Sequence, residues 1–279
     1  MNFNQWFKKH FGTWEIAKHF IYDIIVILIF AIIALTFNLL KPHHMDIPLG
    51  EQNANVIYPY KSSTVPSWAC TLMAYATPLI LIVLFGLFRK SPRYIVFGIT
   101  SLIMIIAIST SITNMGKIYA GRPRPHFYER VKIGEENDAW KSFPSGHSST
   151  IFSGMVYTSM LIAGQLKIFS NGHESWKMFI VIVPWFVAGT VAISRTRDYH
   201  HNFSDIVAGT LIGVFSALIV YFMKYKKIDG PYCYQMKIEE DPVENGEENI
   251  VVKDEEQGSQ VNLLENEEVV VATKENADN

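Results

Sequence analysis

The sequence predicts an all-α fold: an integral membrane bundle of six transmembrane helices followed by a disordered acidic tail. Hydrophobic residues make up 49% of the 279 residues, and they are gathered in long runs instead of alternating with polar residues as in strands. Each run approaches the ~20 residues with which an α-helix crosses a bilayer. The predicted spans are residues 20–40, 65–88, 94–118, 149–166, 176–193 and 206–223.

A soluble helical bundle is the alternative interpretation of these runs. Residues 24–34 and 79–88 are apolar around the whole helix, whereas a surface helix of a soluble protein keeps a polar face. We therefore assign the spans to a bilayer, within a membrane domain of residues 20–235. Cys70 falls inside the second span and Cys233 follows the last one, so the two cysteines predict neither a disulfide framework nor a thiolate metal site.

The composition of the two ends differs from that of the membrane domain. Residues 1–19 mix Trp and Phe with Lys, which is typical of an amphipathic segment in the headgroup layer, here expected on the cytosolic side. Residues 236–279 contain 14 Asp or Glu and 3 Lys, a net charge of −11. Such a segment buries too little apolar surface to offset the entropy lost on ordering. This tail is predicted to be disordered. No segment of the sequence predicts a nucleic-acid partner.

A basic stretch ends the third span. Lys117, Arg122 and Arg124 lie within eight residues of one another. Pro123 and Pro125 are expected to stop the helix and to stiffen the backbone that follows. The cations are thereby held near the membrane surface. A topology signal or a contact to lipid headgroups is the alternative explanation of such a cluster.

The stretch KSFPSGHSST, residues 141–150, leads into the fourth span. Its serines are suitable N-caps, Pro144 and Gly146 shape a tight turn, and the first N–H groups of the helix lack intrahelical acceptors. These donors and the helix dipole favour a bound phosphate, and His147 stands at the edge of that site. A capped helix with an incidental histidine is the plainer alternative.

A cation, two imidazoles and a carboxylate precede the sixth span, in residues 194–205. If the helix begins near His201, Asp205 lies one turn further along the same face and can hydrogen-bond one imidazole nitrogen. The other nitrogen is then free to attack an electrophile. His200 lacks this relation to Asp205, and Arg195 is expected nearby as an anion clamp. An ordinary solvated membrane edge is the alternative.

The order of the spans predicts that these three stretches meet. Successive spans alternate in direction, so the loops that follow the third and fifth spans emerge on the same face of the membrane. The fourth span begins on that face too. One site assembled from all three stretches is therefore expected.

With these residues in place, the sequence resembles the lipid phosphate phosphatases of the type 2 phosphatidic acid phosphatase superfamily over about residues 20–225. The family has three motifs: Lys, six residues, Arg-Pro; then Pro-Ser-Gly-His; then Ser-Arg, five residues, His, three residues, Asp. The residues that match them are Lys117 with Arg124 and Pro125, then Pro144 with Ser145, Gly146 and His147, and finally Ser194 with Arg195, His201 and Asp205.

The resemblance implies hydrolysis in two steps. His201 attacks phosphorus to form a phosphohistidine, while Asp205 orients the imidazole and stabilises its charge. His147 protonates the leaving oxygen and then activates water. The groups implied to bind the phosphoryl oxygens are Lys117, Arg124, Arg195, the Ser145 hydroxyl and the Gly146 N–H. Because three cations supply the counter-charge, neither a metal ion nor any other cofactor is predicted.

The predicted function is an integral-membrane phosphatase for phosphorylated lipids such as phosphatidate, lysophosphatidate, sphingoid-base phosphates and diacylglycerol pyrophosphate. A phosphatase for polyprenyl pyrophosphates or soluble phosphate esters is the alternative within the superfamily. A non-catalytic membrane scaffold or transport protein is the alternative from another class.

Orientation and assembly can also be addressed from the sequence. Outside the acidic tail, the side that holds the N-terminus carries 11 Lys or Arg and the opposite side 10, but those of the first side lie mostly in short segments beside span ends, where they count most. Both termini are therefore expected in the cytosol, with the site facing the lumen or the exterior, at the plasma membrane or an endomembrane. Gly209 and Gly213 have small-xxx-small spacing, which serves either packing inside the bundle or a homo-oligomer.

Overall fold

The computed structural model describes residues 14–47, 54–170 and 175–239. Most of the predicted amphipathic segment and residues 240–279 of the predicted tail lie outside the described residues. Within them the fold is all-α, as predicted, with eight α-helices and one short 3-10 helix, Ala54–Val56. The α-helices are α1 Trp14–Leu39, α2 Ser67–Phe88, α3 Pro92–Ala120, α4 Phe127–Lys132, α5 Glu136–Ala139, α6 Gly146–Gln165, α7 Trp176–Arg197 and α8 Phe203–Lys224.

Five of these helices, α1, α2, α3, α7 and α8, are long and apolar enough to cross a membrane. Their outer faces expose large apolar side chains, among them Ile32, Phe186 and Phe215, as expected where a surface faces lipid. The remaining predicted span, the fourth, at residues 149–166, corresponds to α6, which does not reach the hydropathy of the other five. The structure thus supports five candidate spans by composition, one fewer than predicted.

Helix α6 is polar because it is surrounded by protein. Of its 20 residues, 14 are buried, and it packs against α2, α3, α7 and α8. A side chain on Gly209 or Gly213 of α8 would place Cβ 2.4 Å from the Ser145 carbonyl oxygen or 2.6 Å from that of Ser149. The small residues of α8 are therefore used for close packing against α6, which removes the sequence argument for an oligomer.

The ends of two helices differ from the prediction in ways that affect the site. Helix α3 ends at Ala120, before either proline, because Gly121 adopts a left-handed conformation with φ 49°. A Cβ there would lie 1.8 Å from the His43 carbonyl oxygen, so this turn requires glycine. Helix α8 begins at Phe203, after an extended Asn202, and not near His201.

The chain after α8 folds back onto the bundle. Tyr225 pairs with Met236 in an isolated antiparallel bridge, and both side chains are buried. Arg89 donates to the Tyr234 carbonyl oxygen at 2.7 Å and to the Glu239 carboxylate at 2.9 Å. Residues 236–239 of the predicted tail therefore belong to the folded part of the chain. The average composition of the tail could not predict this, because it does not register one ion pair and one buried side chain.

Candidate active site

A cavity of about 340 Å³ lies where the end of α3, the start of α6, the end of α7 and the loop before α8 meet. It collects residues from all three stretches singled out in the sequence. Six of the eight predicted site residues line it: Lys117, Arg124, Gly146, His147, Arg195 and His201. The other two, Asp205 and Ser145, are fully buried behind the cavity wall.

His201 is buried, and its two ring nitrogens have different surroundings. Nδ1 lies 2.7 Å from the Ser142 carbonyl oxygen, which can only accept, so Nδ1 carries the proton and Nε2 keeps its lone pair. The Arg124 guanidinium lies 3.3 Å from Nε2. Burial lowers the pKa of His201 to about 3, against the opposing effect of Asp205. The imidazole is therefore neutral at pH 7, the form that a nucleophile needs.

Asp205 does not make the direct hydrogen bond to His201 that the sequence predicts. Its Oδ2 lies 3.6 Å from His201 Nδ1, which is too long for a hydrogen bond. It instead accepts from the Ser142 hydroxyl at 2.6 Å and the Asn202 N–H at 2.9 Å. Because α8 begins at Phe203, Asp205 occupies the first turn and caps the helix start. It acts on His201 by its charge and through Ser142.

His147 occupies the second position of α6 and lines the cavity. Its Nε2 is buried and has no hydrogen-bond partner among the described residues. A buried polar nitrogen without a partner costs free energy, which a ligand in the cavity can recover. His147 is therefore placed to exchange a proton with a bound group.

Two arginines of the cavity are each held by a carboxylate. Arg124 binds the Asp138 carboxylate at 3.1 Å, and Arg195 binds Asp198 at 2.8 Å. Asp198 is held in turn by the Thr64 N–H and hydroxyl, both at 2.7 Å. These contacts fix the direction of each guanidinium, so the cavity presents oriented donors to an anion.

The third cation of the cavity, Lys117, lies beside the start of α6. A Cβ on Gly146 would lie 3.4 Å from Lys117 Nζ, so the ammonium lies over the first turn of the helix. The Ser145 hydroxyl, predicted to bind phosphate, accepts from the Ser148 N–H at 3.3 Å and from the Ser148 hydroxyl at 3.0 Å. In this structure Ser145 acts as the N-cap of α6.

Several cavity residues escape sequence reasoning. Arg130 and Asp138 form an ion pair at the wall, and His200 lies opposite with Nε2 3.2 Å from the Ser63 hydroxyl. The segment before α2, which carries no recognisable motif, contributes Ser63 to the lining. Only His200 had a signal, its position next to His201; the others are brought in by loops whose paths no local pattern predicts.

Two chemical properties of the described part of the chain bear on ligand choice. The described lining consists of Ser, Thr, Asn, His and charged side chains with Gly146 and Cys70, and includes no Leu, Ile, Val, Met or aromatic hydrocarbon side chain. Over residues 14–47, 54–170 and 175–239, no group of three or more His, Cys, Asp or Glu is arranged to hold a metal ion. Cys70 and Cys233 are both free and buried.

The helices and the cavity describe an integral membrane protein with three histidines in a basic, polar pocket. The PAP2 superfamily model matches residues 98–229, and the chain belongs to that superfamily. It is 32% identical over 250 residues to lipid phosphate phosphatase 1 of Arabidopsis thaliana, covering 81% of this chain and 76% of the relative.

Two further relatives extend this comparison. A PA-phosphatase related-family protein of Dictyostelium discoideum is 32% identical over 230 residues, covering 79% of this chain and 85% of its own. Diacylglycerol pyrophosphate phosphatase 1 of Saccharomyces cerevisiae is 27% identical over 195 residues, covering 61% and 68%. No solved structure matches the chain.

Proposed function

We propose that the protein is an integral-membrane phosphatase that removes phosphate from lipids such as phosphatidate, lysophosphatidate, sphingoid-base phosphates and diacylglycerol pyrophosphate. The observation that carries the proposal is the neutral, buried His201, whose Nε2 lies 3.3 Å from the Arg124 guanidinium. His147, Lys117 and Arg195 line the same cavity. The similarity to lipid phosphate phosphatase 1 supports the class of substrate.

In the first step His201 Nε2 attacks phosphorus, the bond from phosphorus to the ester oxygen breaks, and a phosphohistidine forms. The ester oxygen leaves as an alcohol with a proton from His147, whose imidazolium form is favoured by the negative charge of a bound phosphate. Asp205, 3.6 Å from His201 Nδ1, stabilises the positive charge that develops on the imidazole. The proton on His201 Nδ1 stays hydrogen-bonded to the Ser142 carbonyl oxygen.

In the second step a water molecule attacks the phosphohistidine. His147 accepts the water proton, the P–N bond breaks, and inorganic phosphate and neutral His201 are released. Lys117, Arg124 and Arg195 bind the non-bridging oxygens in both steps, with the N–H of Gly146 at the start of α6. Their charge is already in place before reaction, which is the most effective way to stabilise a phosphoryl transition state.

We propose that helix α6 also crosses the membrane, in addition to the five candidate helices. Its 20 residues extend about 30 Å at 1.5 Å per residue, close to the thickness of the hydrocarbon core. Its serines and threonines are tolerated because protein helices, and not lipid, surround them. Six spans place both termini on one side and the cavity on the other, and the distribution of Lys and Arg supports a cytosolic side for the termini.

The orientation predicts the accessibility of a tag. An epitope added after Asn279 is expected to react with antibody only after the plasma membrane of the cell has been permeabilised. An epitope inserted after residue 134, in the loop between α4 and α5, is expected to react on the other side. Antibody binding to the C-terminal epitope on intact cells would overturn this topology.

Metal-independent turnover is a further expected result. Purified protein is expected to release inorganic phosphate from phosphatidate in mixed micelles with excess EDTA at the same rate as without it. The reason is that Lys117, Arg124 and Arg195 supply the counter-charge for the phosphate. The His201→Ala variant is the matched control for contaminating activity. Loss of activity on chelation that magnesium restores would contradict this part of the proposal.

A further inference from the structure

Arg122 is the one cation of the basic stretch at the end of α3, Lys117 to Arg124, that does not line the cavity. Lys117 and Arg124 line it, whereas Arg122 points to the opposite side of the wall and donates through Nη1 to Asp205 Oδ1 at 2.8 Å. The same nitrogen donates to the Ser204 hydroxyl at 2.6 Å. Arg122 thus meets the start of α8, directly behind the histidine site.

The carboxylate that Arg122 contacts is in an unusual position. The Asp205 side chain is 0% exposed and that of Arg122 is 31% exposed, so the guanidinium connects a fully buried charge to the surface. A buried carboxylate without a counter-charge is costly and binds protons from its neighbours more strongly. The nearest titratable neighbour of Asp205 is His201, with Nδ1 3.6 Å from Oδ2.

Three donors keep Asp205 directed away from the imidazole. Ser142 and the Asn202 N–H hold Oδ2, and Arg122 holds Oδ1. These contacts hold Oδ2 3.6 Å from His201 Nδ1, and Nδ1 makes its hydrogen bond to the Ser142 carbonyl oxygen at 2.7 Å instead. Arg122 supplies the only full positive charge among these three donors.

We propose that Arg122 is a positioning residue for His201 that acts through Asp205: by neutralising and holding this carboxylate, it keeps the imidazole uncharged and Nε2 available to attack phosphorus. This inference rests on the proposed function. It assigns to Arg122 a role distinct from phosphate binding, since the substrate cavity lies on the other side of Asp205 and His201. A mere contact to lipid headgroups would not require the bond to a carboxylate that is fully buried.

The other charges around His201 do not replace this one. Lys117 from α3 and Arg124 from the loop after it face the imidazole from the cavity side. They are the groups that bind phosphate, so substrate compensates their charge during turnover, whereas Arg122 remains paired with Asp205. The remaining titratable or charged groups that line the same cavity are Cys70 on α2, Asp138 on α5, Arg130 on α4, His147 on α6, Arg195 on α7 and His200 in the loop before α8.

The experiment compares the pH dependence of kcat/KM of wild type, Arg122→Gln and Arg122→Lys with one lipid phosphate, so that titration of the substrate is common to all. Removing a charge this close shifts a neighbouring pKa by about 1 to 3 units. In Arg122→Gln the acid limb is therefore expected to move up by about 1 to 3 pH units from its wild-type position, which the His201 pKa of about 3 sets, with up to ~10-fold lower kcat/KM at pH 5. Arg122→Lys is expected to restore most of the wild-type profile, because a single nitrogen makes both contacts.

Arg197→Gln is the matched control. Arg197 is an exposed cation at the end of α7, so its loss changes the surface charge equally without touching Asp205. The proposal is overturned if Arg122→Gln keeps the wild-type acid limb, if Arg197→Gln shifts that limb as much, or if Arg122→Lys behaves like Arg122→Gln. Failure of the proposed function gives a different result. In that case the wild-type protein would release no more phosphate than the His201→Ala variant does.

Discussion

The His201→Ala variant is expected to lose phosphate release by at least ~10³-fold and to form no phosphorylated protein during turnover of a ³²P-labelled lipid phosphate. The side chain removed is a buried imidazole whose Nδ1 proton is held by the Ser142 carbonyl oxygen at 2.7 Å, which leaves Nε2, beside the Arg124 guanidinium, as the proposed nucleophile. Rapid acid-free quenching and gel autoradiography measure the covalent species directly.

His200→Ala is the matched control for this experiment. His200 is adjacent in sequence and also lines the cavity, but its Nε2 contacts the Ser63 hydroxyl at 3.2 Å, whereas Nε2 of His201 lies 3.3 Å from the Arg124 guanidinium that is proposed to bind phosphate. This variant is expected to retain label on the protein even where turnover falls. A labelled His201→Ala protein together with an unlabelled His200→Ala protein would assign the nucleophile to His200 instead.

The His147→Ala variant is expected to lose activity in a different way. Removing a general acid and base costs about 10²- to 10⁴-fold, and here both steps are affected. With a lipid phosphate, phosphoenzyme forms slowly and is hydrolysed poorly. With an aryl phosphate, whose leaving group needs no proton, the first step is expected to recover while the second stays slow, because no base activates water.

A burst experiment distinguishes these steps. The His147→Ala variant with an aryl phosphate is expected to release about one phenolate per protein quickly and then to proceed slowly, and wild type is expected to show no such burst. Equal losses with both substrates and no burst would show that His147, whose Nε2 lacks a partner among the described residues, does not exchange protons in the reaction.

Much of the fold and of the site was accessible from the sequence, for physical reasons. Apolar runs of span length leave a chain few alternatives, so five predicted spans correspond to candidate membrane helices. Alternation of spans was enough to bring Lys117, His147 and His201 to one cavity. Helix α6 is the exception, since its polar composition reflects enclosure by other helices, which hydropathy does not measure.

What the sequence did not predict depends on loop paths. The spacing of His201 and Asp205 predicted a direct hydrogen bond, but the start of α8 at Phe203 turned the carboxylate toward Ser142 and Arg122. Asp138 reached Arg124 through a short helix that carries no motif. A shift of one residue in the start of a helix changes such contacts. The ends of helices are the least certain part of a prediction from sequence.

The polar lining of the cavity has a consequence for how the substrate and products are distributed. With no hydrocarbon side chain among the described lining residues, the pocket offers little to an acyl chain, and the apolar part of a lipid stays in the bilayer during the reaction. The reaction then takes place at an interface, and its rate follows the mole fraction of substrate in the membrane surface, not its amount per volume of solution. The two products separate by solubility: inorganic phosphate enters the water, and the lipid alcohol remains in its leaflet.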